Sequence, residues 1–128
     1  MVIAVVGSRD FKNLALVSAY VKALDPGTKV ISGGARGVDT VAIQAAKKVG
    51  LEWQEYLADW NDLTQPDAIL KTRPDGSKYD AKAGHRRNKI LASLADKVVA
   101  FWDGESSGTM DTVKLAKKMR KLVAIIRS

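Results

Sequence analysis

The chain reads as an α/β protein, a three-layer sandwich in which a five-stranded parallel sheet of order 3-2-1-4-5 carries helices on both faces. Three observations predict this. Apolar runs alternate with stretches of helical periodicity along the whole chain. The first and fourth runs, VIAVV (Val2 to Val6) and KVVAFW (Lys97 to Trp102), are nearly unbroken, as strands buried on both faces are. The third, LEWQEYL (Leu51 to Leu57), begins with strict alternation and belongs at an edge. Right-handed crossovers then favour 3-2-1-4-5, because the rival order 2-1-3-4-5 would bury that polar third strand.

Each element follows from local chemistry. After the first strand, Leu14, Val17, Val21 and Leu24 form one helical stripe, ended by Pro26 and Gly27. KVIS (Lys29 to Ser32) is a short strand. Val38, Val41, Ala42, Ala45, Ala46 and Val49 recur at helical spacing, and Gly50 suits the stop. Periodicity then vanishes from Ala58 to Asp80, where two prolines, a PDG turn and mixed charge predict a long surface loop or mobile flap. Ala81 to Ala95 is helical, with Ile90, Leu91 and Leu94 expected inward; Trp53 is expected in the core. Thr109 to Leu122 is a helix and Leu122 to Ile126 the last strand. At 128 residues, one domain is expected.

Composition bounds the function. The chain has no cysteine and one histidine, so no disulfide framework and no ordinary metal ligand set is expected. No apolar run is long enough for a bilayer, and the N-terminus lacks a basic signal-peptide start, so a cytoplasmic protein without a membrane partner is expected. The net charge of +7 and the isoelectric point of about 9.7 favour anionic partners such as nucleotides or nucleic acid.

Three glycine-bearing loops leave the same edge of this sheet: GSRDF (Gly7 to Phe11), SGGARGVD (Ser32 to Asp39) and DGESSGT (Asp103 to Thr109). Two run straight into helix N-termini, where amides are unpaired and the dipole favours negative charge. Ser106, Ser107 and Thr109 add hydroxyl donors, and Arg9 and Arg36 add charge. One such loop is as readily a tight turn as a site, and Asp39 as readily complements its own helix start. Three on one edge of a basic protein point to an anion site. The usual fingerprints are missing: there is no G-x-x-x-x-G-K-[ST] and no G-x-G-x-x-G after the first strand. A phosphoacceptor receiver would want paired acids there, and Asp10 stands alone.

Taken in order, GSRDF, ISGGARGVD, ADW, AG..RN and VVAFWDG.SSGT resemble the SLOG superfamily, which groups the Smf/DprA DNA-processing proteins with the Lonely-guy (LOG) cytokinin-activating enzymes. The chain is most similar to the small stand-alone branch like YspA and YpsA, whose one-domain forms also occur in phages. The match spans nearly the whole chain except roughly residues 61–82, which reads as an inserted loop. The resemblance implies a Rossmann-like fold that binds nucleotides or nucleotide-derived ligands. Gly7, Ser8 and Arg9 would line the first wall, and Gly33, Gly34, Ala35, Gly37 and Asp39 would form the second loop. Arg87 and Asn88 match the family's RN pair, and Gly104, Ser106, Gly108 and Thr109 its phosphate-holding loop. Smf/DprA relatives bind single-stranded DNA, and LOG relatives commonly pair, so a nucleic-acid partner and a homodimer are also implied. LOG-type phosphoribohydrolases carry G-x-G-T-x-x-E, whose Glu assists ribose–base cleavage. Here that position is Thr112, and Asp111, one residue earlier, would point about 100° away around the helix.

Individual residues carry competing readings. His85, Arg86, Arg87 and Lys89 crowd a helix start, where cations oppose the dipole, which suggests an anion that offsets them. Trp60 and Trp102 are expected to flank the pocket, one of them stacking on a base. Lys114, Lys117, Lys118 and Lys121 share one helical face, a solvated surface or a nucleic-acid stripe. The leading expectation is a nucleotide-binding domain acting as sensor or carrier. The alternatives are a nucleotide hydrolase of phosphoribohydrolase type, with Asp39, Arg87 and Asp111 as candidate catalytic groups, and a single-stranded nucleic-acid module.

Overall fold

The computed structural model describes residues 1–127. Its main sheet is parallel and five-stranded: β1 (Val2–Gly7), β2 (Lys29–Ser32), β3 (Glu52–Glu55), β6 (Lys97–Trp102) and β7 (Leu122–Arg127), in the order β3-β2-β1-β6-β7. Discounting a small hairpin, β4 (Leu70–Thr72) with β5 (Lys78–Asp80), this is the predicted order. Four helices complete it: α1 (Leu14–Lys22), α2 (Val38–Val49), α3 (Ala83–Leu94) and α4 (Ser107–Lys118).

The strand period of two divides the core in half. Ile3, Val5, Val30, Val99 and Phe101 face α1 and α2, meeting Val17, Val21, Val38 and Ile43. Ala4, Val6, Ile31, Val98 and Ala100 face α3 and α4, meeting Leu91, Ala92, Val113 and Ala116. Small residues of β1 and β6 let α3 and α4 sit close on that side. Register ties the layers: Gly7 opposes Phe101 across β1 and β6, and Ala4 opposes Ile31 across β1 and β2. Among the described residues no helix is long and apolar enough to cross a membrane.

Three expectations are corrected. The segment read as a loop to Asp80 holds the antiparallel hairpin β4–β5, turned at Pro74 to Gly76 and pinned at its base by the buried carboxylate of Asp80. Asp80 accepts from the amides of Ile69 (3.1 Å) and Lys82 (2.9 Å) and pairs with Arg86 (3.0 Å). Ile90 and Leu94 face outward, at 44% and 47% exposure, because α3 turns Leu91 and Ala92 to the sheet instead. Trp53 sits outside the core on the edge strand β3, with Lys47 Nζ 4.2 Å over its ring.

Candidate functional site

All three glycine-bearing loops open at the C-terminal ends of adjacent strands β1, β2 and β6. They are tied together there. Ser8, buried, accepts the Asp103 amide on its Oγ at 3.1 Å, joining the first loop to the third. The backbone of Arg9 lies so near Gly37, at φ +79°, that any Cβ there would sit 2.6 Å from the Arg9 carbonyl oxygen. Arg87, from the second turn of α3, donates to the Gly33 carbonyl. A Cβ on Gly33 would lie 2.5 Å from that guanidinium, so the glycine is what lets the arginine in.

These loops border a cleft of about 560 Å³. Val6, Gly7, Arg9, Ala35 and Asp39 form one side, and Ser106, Ser107, Gly108, Thr109, Asp111 and Thr112 the other. Residues of α3 and its approach form the remaining wall, with Gly84, His85, Arg87 and Asn88 on the helix and Trp60 across from them.

The structure narrows the expectation that every loop offers bare amides. In the second loop the amides of Gly33 (3.2 Å) and Ala35 (3.3 Å) are already taken by Asp39 Oδ2. In the third, Asp103 Oδ1 accepts from Glu105 (2.9 Å) and Ser106 (2.8 Å), and Ser106 Oγ caps α4 by accepting from Thr109 (3.4 Å). Those contacts hold Asp103 below the ordinary carboxylate range, first through the Ser106 amide and then through Glu105. The amides of Ser107 and Gly108, first in α4, make no hydrogen bond among the described residues. They are unpaired anion donors at the positive end of the helix dipole.

Asp39 is the electrostatic anomaly of the cleft. It is 4% exposed, and its Oδ1 has no hydrogen-bond partner among the described residues. Burial pushes its pKa from 3.8 up to about 6, against the opposing pull of the Ala35 amide, the Arg87 charge and the Gly33 amide. Burial also lowers Arg87, and the Asp39 charge opposes that shift.

Other sequence expectations separate here. Arg9, Gly7, Ala35, Asp39, Arg87, Asn88, Ser106, Ser107, Gly108, Thr109 and Asp111 line the cleft. Ser8, Gly33, Gly34, Arg36, Gly37 and Gly104 do not; they shape the loops behind it or face away. Trp102 is also absent, since its Nε1 donates to the Ser106 carbonyl at 3.0 Å and Arg127 covers its ring. Trp60 is the aromatic at the cleft, packed against Gly84. The basic cluster at the start of α3 is largely compensated from within: Arg86 pairs with Asp67 and Asp80, and His85 Nδ1 lies 2.9 Å from Asp111. Asp111, set about 100° around α4 from the Thr112 position, still reaches the cleft. It lines it beside Thr112, whose hydroxyl reaches the Gly108 carbonyl at 3.5 Å. Sequence reasoning placed His85 in the basic cluster as a polar neighbour and not a catalytic base, because its partner lies 26 residues further along the chain. Lys121 lies past the end of α4, and its Nζ donates to the carbonyls of Ser93 (3.1 Å) and Ala95 (2.7 Å) instead of extending a free stripe.

A family model described as DNA recombination-mediator protein A matches residues 1–128. No curated protein matches the chain in sequence. Among solved structures, the chain is similar to DNA processing protein A (DprA) from Streptococcus pneumoniae, with a TM-score of 0.75 at 24% identity, covering 96% of this chain and 49% of that one. It is similar to DNA processing protein A from Helicobacter pylori, described for its single-stranded DNA binding mode, with a TM-score of 0.67 at 19% identity over 98% of this chain and 64% of that one. It is also similar to the protein TM1055, at 0.61 and 23% identity over 95% of this chain and 71% of that one. The chain thus spans about half the length of the pneumococcal protein, and these likenesses establish the Rossmann-like fold.

Proposed function

The chain belongs to the DNA recombination-mediator protein A family, within the SLOG superfamily its motifs resemble, and from that premise we propose that its cleft binds a nucleotide or a nucleotide-derived ligand. The observation that carries this reading is the pair of unbonded amides of Ser107 and Gly108, opening into a cleft that also holds Arg9, Arg87 and Trp60. A phosphate takes the two amides and the hydroxyls beside them, the arginines balance its charge, and the base lies against Trp60. The cleft volume lies inside the roughly 300–1,000 Å³ usual for small-ligand sites.

Calorimetry against nucleoside mono-, di- and triphosphates and ADP-ribose tests it. At least one ligand is expected to bind at micromolar strength, and Ser107→Asp to weaken it about tenfold or more. A carboxylate at that position suits a helix start, so the fold is retained while the anion is repelled. Millimolar or absent binding across the panel refutes the reading.

A second reading is favoured by the family itself and by the single-stranded DNA binding described for the Helicobacter pylori relative. In it, the same amide turn holds one backbone phosphate and the exposed Lys114, Lys117 and Lys118 meet others. Oligonucleotide binding that mononucleotides fail to displace would favour it over a free-nucleotide site.

A further inference from the structure

The cleft contains more than an anion needs. Asp111 follows Ser107 by one turn of α4 and puts a carboxylate beside the phosphate-binding amides, where it works against a phosphate. Yet it is held firmly. Both of its oxygens lie within hydrogen-bond distance of His85 Nδ1, at 3.0 and 2.9 Å, and Asn88 Nδ2 donates to Oδ2 at 3.0 Å. Asn88 is buried and is itself fixed by a second donation to the Gly108 carbonyl at 3.3 Å. A neutral imidazole that gives its Nδ1–H to a carboxylate keeps its lone pair on Nε2. Among the described residues nothing bonds Nε2, and His85 lines the cleft. On the opposite side of the cleft the buried carboxylate of Asp39 leaves Oδ1 without a hydrogen-bond partner among the described residues.

We propose that His85 is the general base for hydrolysis of the terminal phosphoryl group of a nucleotide bound in this cleft, with Asp111 and Asn88 as its positioning residues. The proposal rests on the nucleotide-binding reading. His85 Nε2 takes a proton from a water molecule, whose oxygen forms a new bond to phosphorus as the bond from phosphorus to the bridging oxygen breaks. The bridging oxygen leaves with the electron pair on the side of phosphorus opposite the water and takes its proton from solvent, to which the imidazolium returns its own. The products are inorganic phosphate and the nucleoside or the shortened nucleotide. The amides of Ser107 and Gly108 and the Arg87 guanidinium stabilise the charge on the non-bridging oxygens.

The experiment measures phosphate release from AMP, ADP and ATP by the whole chain, alongside calorimetric binding of the same nucleotides. Wild type is expected to release phosphate, with ¹⁸O from labelled water appearing in the product. His85→Gln is expected to lose about 10²–10⁴-fold in kcat while its affinity stays within about threefold. Asp111→Asn is expected to lower kcat and to displace the pH–rate profile, which a merely structural link between α3 and α4 would not do. Nucleotide binding without phosphate release by wild type overturns the proposal and leaves the binding reading standing. Release at wild-type rate by a folded His85→Gln also overturns it. Absent binding would instead remove the reading beneath it.

Discussion

The buried carboxylate of Asp39 adds a pH response opposite in sign to that of the lowered carboxylates of Asp80 and Asp103. Folded Asp39 keeps its proton up to about pH 6, whereas the unfolded chain releases it near 3.8. Between those values the folded state binds the extra proton, so raising the pH through that window costs stability. The raised pKa amounts to about 3 kcal/mol in all, at about 1.4 kcal/mol per unit. Asp39→Asn keeps an oxygen for the Gly33 and Ala35 amides and removes the titration. Urea midpoints measured from pH 4 to 7 should show wild type losing ground relative to the variant as pH rises. Parallel curves would disprove the assignment. At this scale the sequence was legible where chemistry is local. The Ser106 to Thr109 turn reads from its own residues, whereas Arg87 and Asn88 enter through the resemblance to the family's RN pair. What it hid were pairings over distance: Asp39 filling its own loop's amides, His85 meeting Asp111, and Trp102 turned toward Arg127 and the Ser106 carbonyl while Trp60 serves the cleft.

Elements with strong periods were readable and short ones were not. The runs of β1, β2 and β6 announce themselves because both of their faces are buried. The hairpin strands have three residues each and are mostly exposed, so they leave neither alternation nor an apolar run. What fixes them is Asp80. Burial pushes its carboxyl upward, but the amides of Lys82 and Ile69 and the Arg86 guanidinium outweigh that and hold it below the usual range. Asp80→Ala is expected to release the hairpin while the main sheet persists. Hydrogen exchange should accelerate about tenfold or more at the Ile69 and Lys82 amides and remain unchanged in β1. Uniform protection in the variant would show that the Trp60–Tyr79 and Arg73–Tyr79 contacts suffice instead. On α3, of the three residues expected inward only Leu91 is; Ile90 and Leu94 face outward, and Ala92 joins Leu91 against the sheet.

The molecule as a whole combines a readable architecture with an ambiguous charge. Strand order follows from which runs are polar, a property of the entire chain, and it survives errors in any one element. The net charge of +7 does not choose between a free nucleotide and a strand of DNA. Salt dependence does. Each neutralised phosphate of single-stranded DNA contributes a slope of about −0.7 in log affinity against log salt, so a three-lysine surface contributes about −2. Lys114→Glu, Lys117→Glu and Lys118→Glu together should flatten the slope for oligonucleotides by about that much and leave mononucleotide affinity unaltered. An unaltered oligonucleotide slope would remove these lysines from any DNA path.

The Asp80 amide donates to the Trp60 carbonyl at 2.8 Å, so the chain enters and leaves the hairpin segment at nearly one point. A peptide whose two ends already touch behaves as an interchangeable cassette. Segments of different length and sequence are expected to fit between those two positions without disturbing the strands beneath.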